Sequence, residues 1–98
     1  MAEAKPVSAE ARYRPADKIA WRDVAGEVLI IHPGRSRMYP LNAVGSRIWT
    51  LLDGTRDARA VAAEIHRAFE VDEDRARRDV LAFLADLVDE GLVVGDKA

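Results

Sequence analysis

The residues that could do chemistry are few, and their spacing does not suit it. The chain has no cysteine and only two histidines, His32 at the end of an apolar run and His66 in a helical stretch, so no ligand set has the spacing of a zinc site. Asp72-Glu73-Asp74 concentrates negative charge but lacks the glycine turn and the terminal bidentate glutamate of a calcium loop. Carboxylates at that point are better accounted for by the positive end of a helix dipole. Ser36 and Ser46 lie outside any nucleophile elbow, and Gly45 and Gly54 belong to no spaced glycine set followed by Lys and Ser/Thr. No catalytic residues, no metal and no cofactor are expected, which leaves recognition as the kind of function to look for.

Size and charge narrow the partner. Ninety-eight residues make one small domain, too small to enclose a large active-site cavity. With 49% hydrophobic and 33% charged residues the chain reads as a soluble globular body rather than a disordered one. Residues 1–41 carry seven Lys/Arg against five Asp/Glu, whereas residues 42–98 carry eight against twelve. That acidic half would be repelled by a duplex, so no nucleic-acid partner is expected. Met1 to Pro15 contains no continuous apolar segment of signal or membrane-spanning type, so a cytoplasmic location without a membrane partner is the expectation.

The elements that would position a binding site can be read in order. Residues 1–15, rich in Ala, Glu and Pro and without hydrophobic periodicity, read as a flexible tail; residues 16–95 read as the domain. Ile19 to Val24 alternates, Ala25-Gly26 turns, and Val28 to Ile31 is a β-branched apolar run, which together predict a hairpin. Pro33-Gly34 turns again into a third strand over Arg37 to Leu41. Because Pro40 has no N–H to give a ladder, that strand belongs at a sheet edge.

Three helices follow. Asn42 caps the first, with Val44, Ile48, Leu51 and Leu52 on one face, and Gly54 stops it. Asp57 caps the second, with Val61, Ala62, Ile65, Ala68 and Phe69 on one face. Asp72 caps the third, and Gly91 ends it before a short strand, Leu92 to Val94, placed as a wing returning to the sheet. On the third helix Ala76, Val80, Phe83, Leu84, Leu87 and Val88 form a stripe, widened on one flank by Leu81 and the stem of Arg77. Such a stripe can be all core. Its width also allows Leu81 and Val88 to stand beside the edge strand and form an apolar groove with it. The fold class expected is therefore α+β and winged helix-turn-helix-like: a three-stranded antiparallel meander, three helices and a C-terminal strand.

The order of the Gly26-Glu27-Val28 strand, the Tyr39-Pro40-Leu41-Asn42 junction, Ile48 to Thr55, and Val80-Leu81-Ala82-Phe83-Leu84 through Glu90-Gly91-Leu92-Val93 resembles the PqqD family over about residues 15–95. The resemblance implies a non-enzymatic peptide chaperone, the recognition element of pathways to ribosomally synthesised, modified peptides (RiPPs). It implies that a precursor's leader peptide adds as a strand to the third strand and packs on the third helix. It also implies a modifying enzyme as partner, a radical SAM protein in the case of pyrroloquinoline quinone (PQQ) biosynthesis. Carried onto this chain, the peptide-binding residues expected are Arg37, Met38 and Tyr39 on the strand, and Arg77, Arg78, Leu81, Leu84 and Val88 on the helix. Arg77 and Arg78 would pair with acidic leader residues, and Leu84 is the one nearest to plain core. Pro40 departs from an uninterrupted docking strand by removing one donor.

Other readings stay open at the level of sequence, among them a purely structural subunit that holds an enzyme. A winged-helix DNA-binding regulator would use Arg56, Arg59, Arg75, Arg77 and Arg78 on phosphates. An exposed edge strand also leaves pairing into a homodimer open.

Overall fold

The computed structural model describes residues 7–96. In chain order the elements are β1 Arg12–Pro15, β2 Ala20–Val24, β3 Glu27–His32, a single 3-10 turn Pro33–Arg35, β4 Arg37–Pro40, α1 Ala43–Leu51, α2 Ala58–Phe69, α3 Glu73–Asp89 and β5 Val93–Asp96. Strands β2, β3 and β4 form the expected antiparallel meander, in that order. The β2–β3 turn places Ala25 and Gly26 both at positive φ (54° and 87°), the combination a type I′ hairpin turn requires. Asp23 Oδ1 accepts from the Gly26 N–H at 2.8 Å and holds the turn.

The three helix starts are where the caps predict. Asn42, Asp57 and Asp72 accept from the N–H groups of Gly45, Ala60 and Arg75. Between α2 and α3 the chain turns at Glu70 (φ 52°), and His66 Nδ1 lies 2.6 Å from the Val71 carbonyl oxygen, so this histidine closes a helix end. The core lies between the sheet and the helices. Ile30, Trp49, Leu52, Ile65, Leu84 and Val80 are among its fully buried members, and Trp21 meets Trp49 edge to face with centroids 6.2 Å apart.

Two expectations are corrected. The segment expected as a flexible tail contributes β1, which pairs with β5 through Arg12↔Asp96, Tyr13↔Gly95, Arg14↔Val94 and Pro15↔Val93. Tyr13 is only 4% exposed, and the carbonyls of Ala9, Ala11 and Tyr13 accept from the N–H groups of Arg59, Ala58 and Gly54. Residues 1–6 of that tail lie outside the described residues. Correspondingly, the C-terminal strand returns to β1 instead of to the meander, giving a separate two-stranded sheet. Gly95 makes this pairing possible: a Cβ there would stand 2.7 Å from the Tyr13 ring, so the ring lies across a position only glycine leaves open.

The junction of β4 with α1 depends on a buried hydroxyl. Ser46, 2% exposed, accepts from the Val28 N–H at 2.8 Å and donates to the Leu41 carbonyl at 3.3 Å. Replacing it with alanine leaves a buried donor without a partner, and Ser46→Ala is expected to cost about 1–3 kcal/mol. A denaturant midpoint unchanged in Ser46→Ala would show that water or a shifted backbone takes over both bonds.

Candidate functional site

Strand β4 pairs with β3 through Leu29↔Pro40, Ile30↔Tyr39, Ile31↔Met38 and His32↔Arg37, and among the described residues its other edge has no partner. Met38, two-thirds exposed at 66%, stands on the outer face of the sheet, in line with Ile31. Tyr39 shares the face of the fully buried Ile30 and is half-buried. Its hydroxyl donates to Glu90 Oε1 at 2.7 Å, at the C-terminal end of α3. Arg35 and Arg37 approach the same oxygen at 3.4 and 3.5 Å. The edge strand is thus clasped to α3 at one end.

At the other end an open pocket of about 320 Å³ lies between β4, the start of α1 and α3. Pro40, Leu41, Val44, Gly45, Ile48 and Phe83 line it, with Asn42 and Asp79 at its polar part. Gly45 widens it, since a Cβ there would meet the Phe83 ring at 3.4 Å and the Leu41 side chain at 3.5 Å. Pocket and clasp together mark a groove along the free edge, walled by one flank of α3. Asp79, Phe83 and Glu90 recur at i, i+4 and i+11 on that flank, and Asp86 falls on it by the same periodicity.

The helix residues predicted from sequence are not on that flank. At 100° per residue Leu81 and Val88 stand on the border of the apolar stripe far from Phe83 and Asp79, half-buried against the core, and Arg77 lies with them. The expectation that Leu81 and Val88 stand beside the edge strand is therefore corrected. Leu84 is fully buried at 0% exposure and offers no surface. Arg77 lies 3.9 Å from Asp74, and Arg78 is exposed. Of the expected set, Arg37, Met38 and Tyr39 are brought together on β4, while the helix members fall elsewhere. Phe83, Asp79 and Glu90 take their place along the groove. The signal for Phe83 was present, because it borders the same stripe; which border faces the sheet depends on how α3 packs on α2, which periodicity does not carry.

Most arginines proposed for phosphate contact are engaged by carboxylates: Arg56 with Asp53, Arg59 with Glu10, Arg75 with Asp79 and Arg77 with Asp74. Among the described residues no group of three metal-ligating side chains forms, and no helix is long and apolar enough to cross a membrane.

Comparison with known proteins agrees with this geometry. The family model for coenzyme PQQ synthesis protein D (PqqD) matches residues 27–93. The chain is similar to TbiB1, solved in complex with the TbiA(beta) leader peptide, at 29% identity and TM-score 0.76, covering 82% of this chain and 93% of that one. It is similar in fold to lasso peptide synthetase B1 complexed with the leader peptide, at 20% identity and TM-score 0.77, with 86% and 99% covered. It is also similar in fold to the PqqD truncation of Methylobacterium extorquens PqqCD, a stand-alone RiPP recognition element solved by NMR. There the identity is 18% and the TM-score 0.73, with 90% and 94% covered. No curated protein sequence matches the chain significantly.

The clasp has a pH signature. The Tyr39 hydroxyl, more than the nearby Arg35 and Arg37, holds the Glu90 carboxyl below its ordinary value of 4.5, against an opposing push from partial burial. A carboxyl lowered in the folded state contributes stability above the ordinary value, and that contribution is lost as pH falls through the folded one. A ¹³C carboxyl titration should find Glu90 ionising below 4.5 and moving upward in Tyr39→Phe. An unmoved midpoint in Tyr39→Phe would remove the hydroxyl as the cause.

Proposed function

The chain belongs to the PqqD family, and we propose on that premise that it is a non-catalytic adaptor. It binds the leader segment of a ribosomal precursor peptide by strand addition to β4 and presents the precursor to a modifying enzyme, such as a radical SAM protein. The observation that carries this reading is the free edge of β4 running beside the Phe83 pocket. A further support is the likeness to TbiB1, whose solved complex holds a leader peptide. The setting is the cytoplasm, where a precursor of this kind is made.

Physical magnitudes suit a reversible carrier. A few main-chain hydrogen bonds contribute about 1 kcal/mol each net. One or two apolar anchors in the pocket add about 1.5–3 kcal/mol each. Ordering a flexible segment costs about 2–5 kcal/mol. On these figures pocket anchorage and strand pairing contribute comparably, and the pairing sets the register. Arg37, Met38 and Tyr39 contribute contacts from the strand, and Phe83, Leu41, Val44 and Ile48 form the anchor site. Glu90, already clasped by Tyr39 and two arginines, bounds the groove at its far end.

Placing the anchor site at Phe83 separates two variants. Phe83→Asp should weaken binding of the leader encoded beside this chain's gene by about tenfold or more, which is the worth of one apolar anchor. Leu81→Asp should leave the affinity of the folded protein near that of the parent. Titration calorimetry on both, with melting curves to confirm that each is folded, checks the pair. The opposite ranking would return the site to the other flank of α3. The amide signals of Arg37 to Leu41 should also shift on titration with that leader, and shifts confined to other regions would overturn strand addition.

A further inference from the structure

The hydrogen-bonding groups along the free edge are unequal, and a single bond fixes which are available. The Leu41 N–H donates to the Val28 carbonyl at 2.9 Å, so these two residues stand as a hydrogen-bonded pair in the register that joins Leu29 to Pro40. Antiparallel ladders alternate hydrogen-bonded and non-hydrogen-bonded pairs. Tyr39 and Arg37, opposite Ile30 and His32, therefore turn their main-chain groups inward to β3, whereas Met38 and Pro40, opposite Ile31 and Leu29, turn theirs outward. Pro40 thus costs the β3–β4 ladder nothing, because its missing donor lies on the open side. The outward edge presents three groups: the Met38 N–H, the Met38 carbonyl and the Pro40 carbonyl.

We propose that β4 selects its peptide through the main chain, at two alternate positions. The docked segment must supply N–H donors at two residues spaced i and i+2, one to the Met38 carbonyl and one to the Pro40 carbonyl, and a single carbonyl to the Met38 N–H. The residue between the two donors gives no main-chain bond to β4, and in the antiparallel arrangement that continues this sheet it faces Tyr39. The paired N–H requirement is the same for a parallel segment, since each outward carbonyl takes one donor and those carbonyls are two residues apart. The ligand class is a peptide stretch in which proline is excluded at two alternate positions and admitted at the one between. This inference rests on the leader-peptide reading.

Methylating successive backbone nitrogens of a synthetic peptide tests it, the peptide being the leader of the precursor encoded beside this chain's gene. Two positions spaced i and i+2 should each lose about fivefold to tenfold in affinity by fluorescence anisotropy, with little change at the position between, as expected for loss of one hydrogen bond. In the free protein the Met38 amide should exchange with deuterium quickly while the Tyr39 and Leu41 amides are protected, and adding the unmethylated peptide should protect Met38. A peptide that binds with a flat profile, or with three alternate sensitive positions, overturns this inference and leaves the adaptor function standing. A Met38 amide already protected in the free protein also overturns it. A leader that does not bind at all overturns both.

Discussion

The site depends on how an edge strand is joined to the helix that follows it. At Leu41 the chain leaves β4 and enters α1 within two residues, and a sheet ladder broken there would strand a buried N–H on β3 and a carbonyl on β4. The Ser46 hydroxyl replaces the lost ladder bond, accepting a hydrogen bond from the Val28 N–H and donating one to the Leu41 carbonyl. A hydroxyl is well suited to this position because it both donates and accepts from one small atom. The consequence is geometric. The start of α1, with Val44 and Ile48, is held against the end of β4, and the pocket floor is built from that contact.

A second constraint sets the far end of the groove. Glu90 follows the last turn of α3 and collects Tyr39, Arg35 and Arg37 from the strand side. Exposed ion pairs contribute little to stability individually. Their convergence on one carboxylate, together with a short hydroxyl bond, instead fixes the spacing between strand and helix. The groove thus has a tight end at Glu90 and an open end at Phe83.

Much of this was legible in the sequence, because local chemistry specifies it. Asn42, Asp57 and Asp72 mark helix starts through bonds made within three residues, and Ala25-Gly26 marks a hairpin through its own φ values. Pro40 identifies an edge strand for a reason internal to one residue. Two features were not legible. The pairing of β1 with β5 joins residues about eighty positions apart around one aromatic ring and one glycine, and neither segment has periodicity enough to announce it. The orientation of α3 was equally hidden, since a wide apolar stripe has two borders of similar composition and only packing on α2 decides which one meets the sheet.

That orientation also separates a peptide ligand from a duplex. Had the Arg77 border faced the groove, the helix would have presented guanidinium groups beside an edge strand, and phosphate contact would have been chemically reasonable. The border that faces it carries Asp79, Asp86 and Glu90 around Phe83, and Arg75 and Arg77 lie near Asp79 and Asp74 on their own helix. Asp79 is paired with Arg75, and Glu90 with Arg35 and Arg37, so the groove holds nearly balanced charge instead of the basic surface that would neutralise phosphates. On the proposed reading a peptide strand meets an unpaired main-chain edge and an apolar pocket.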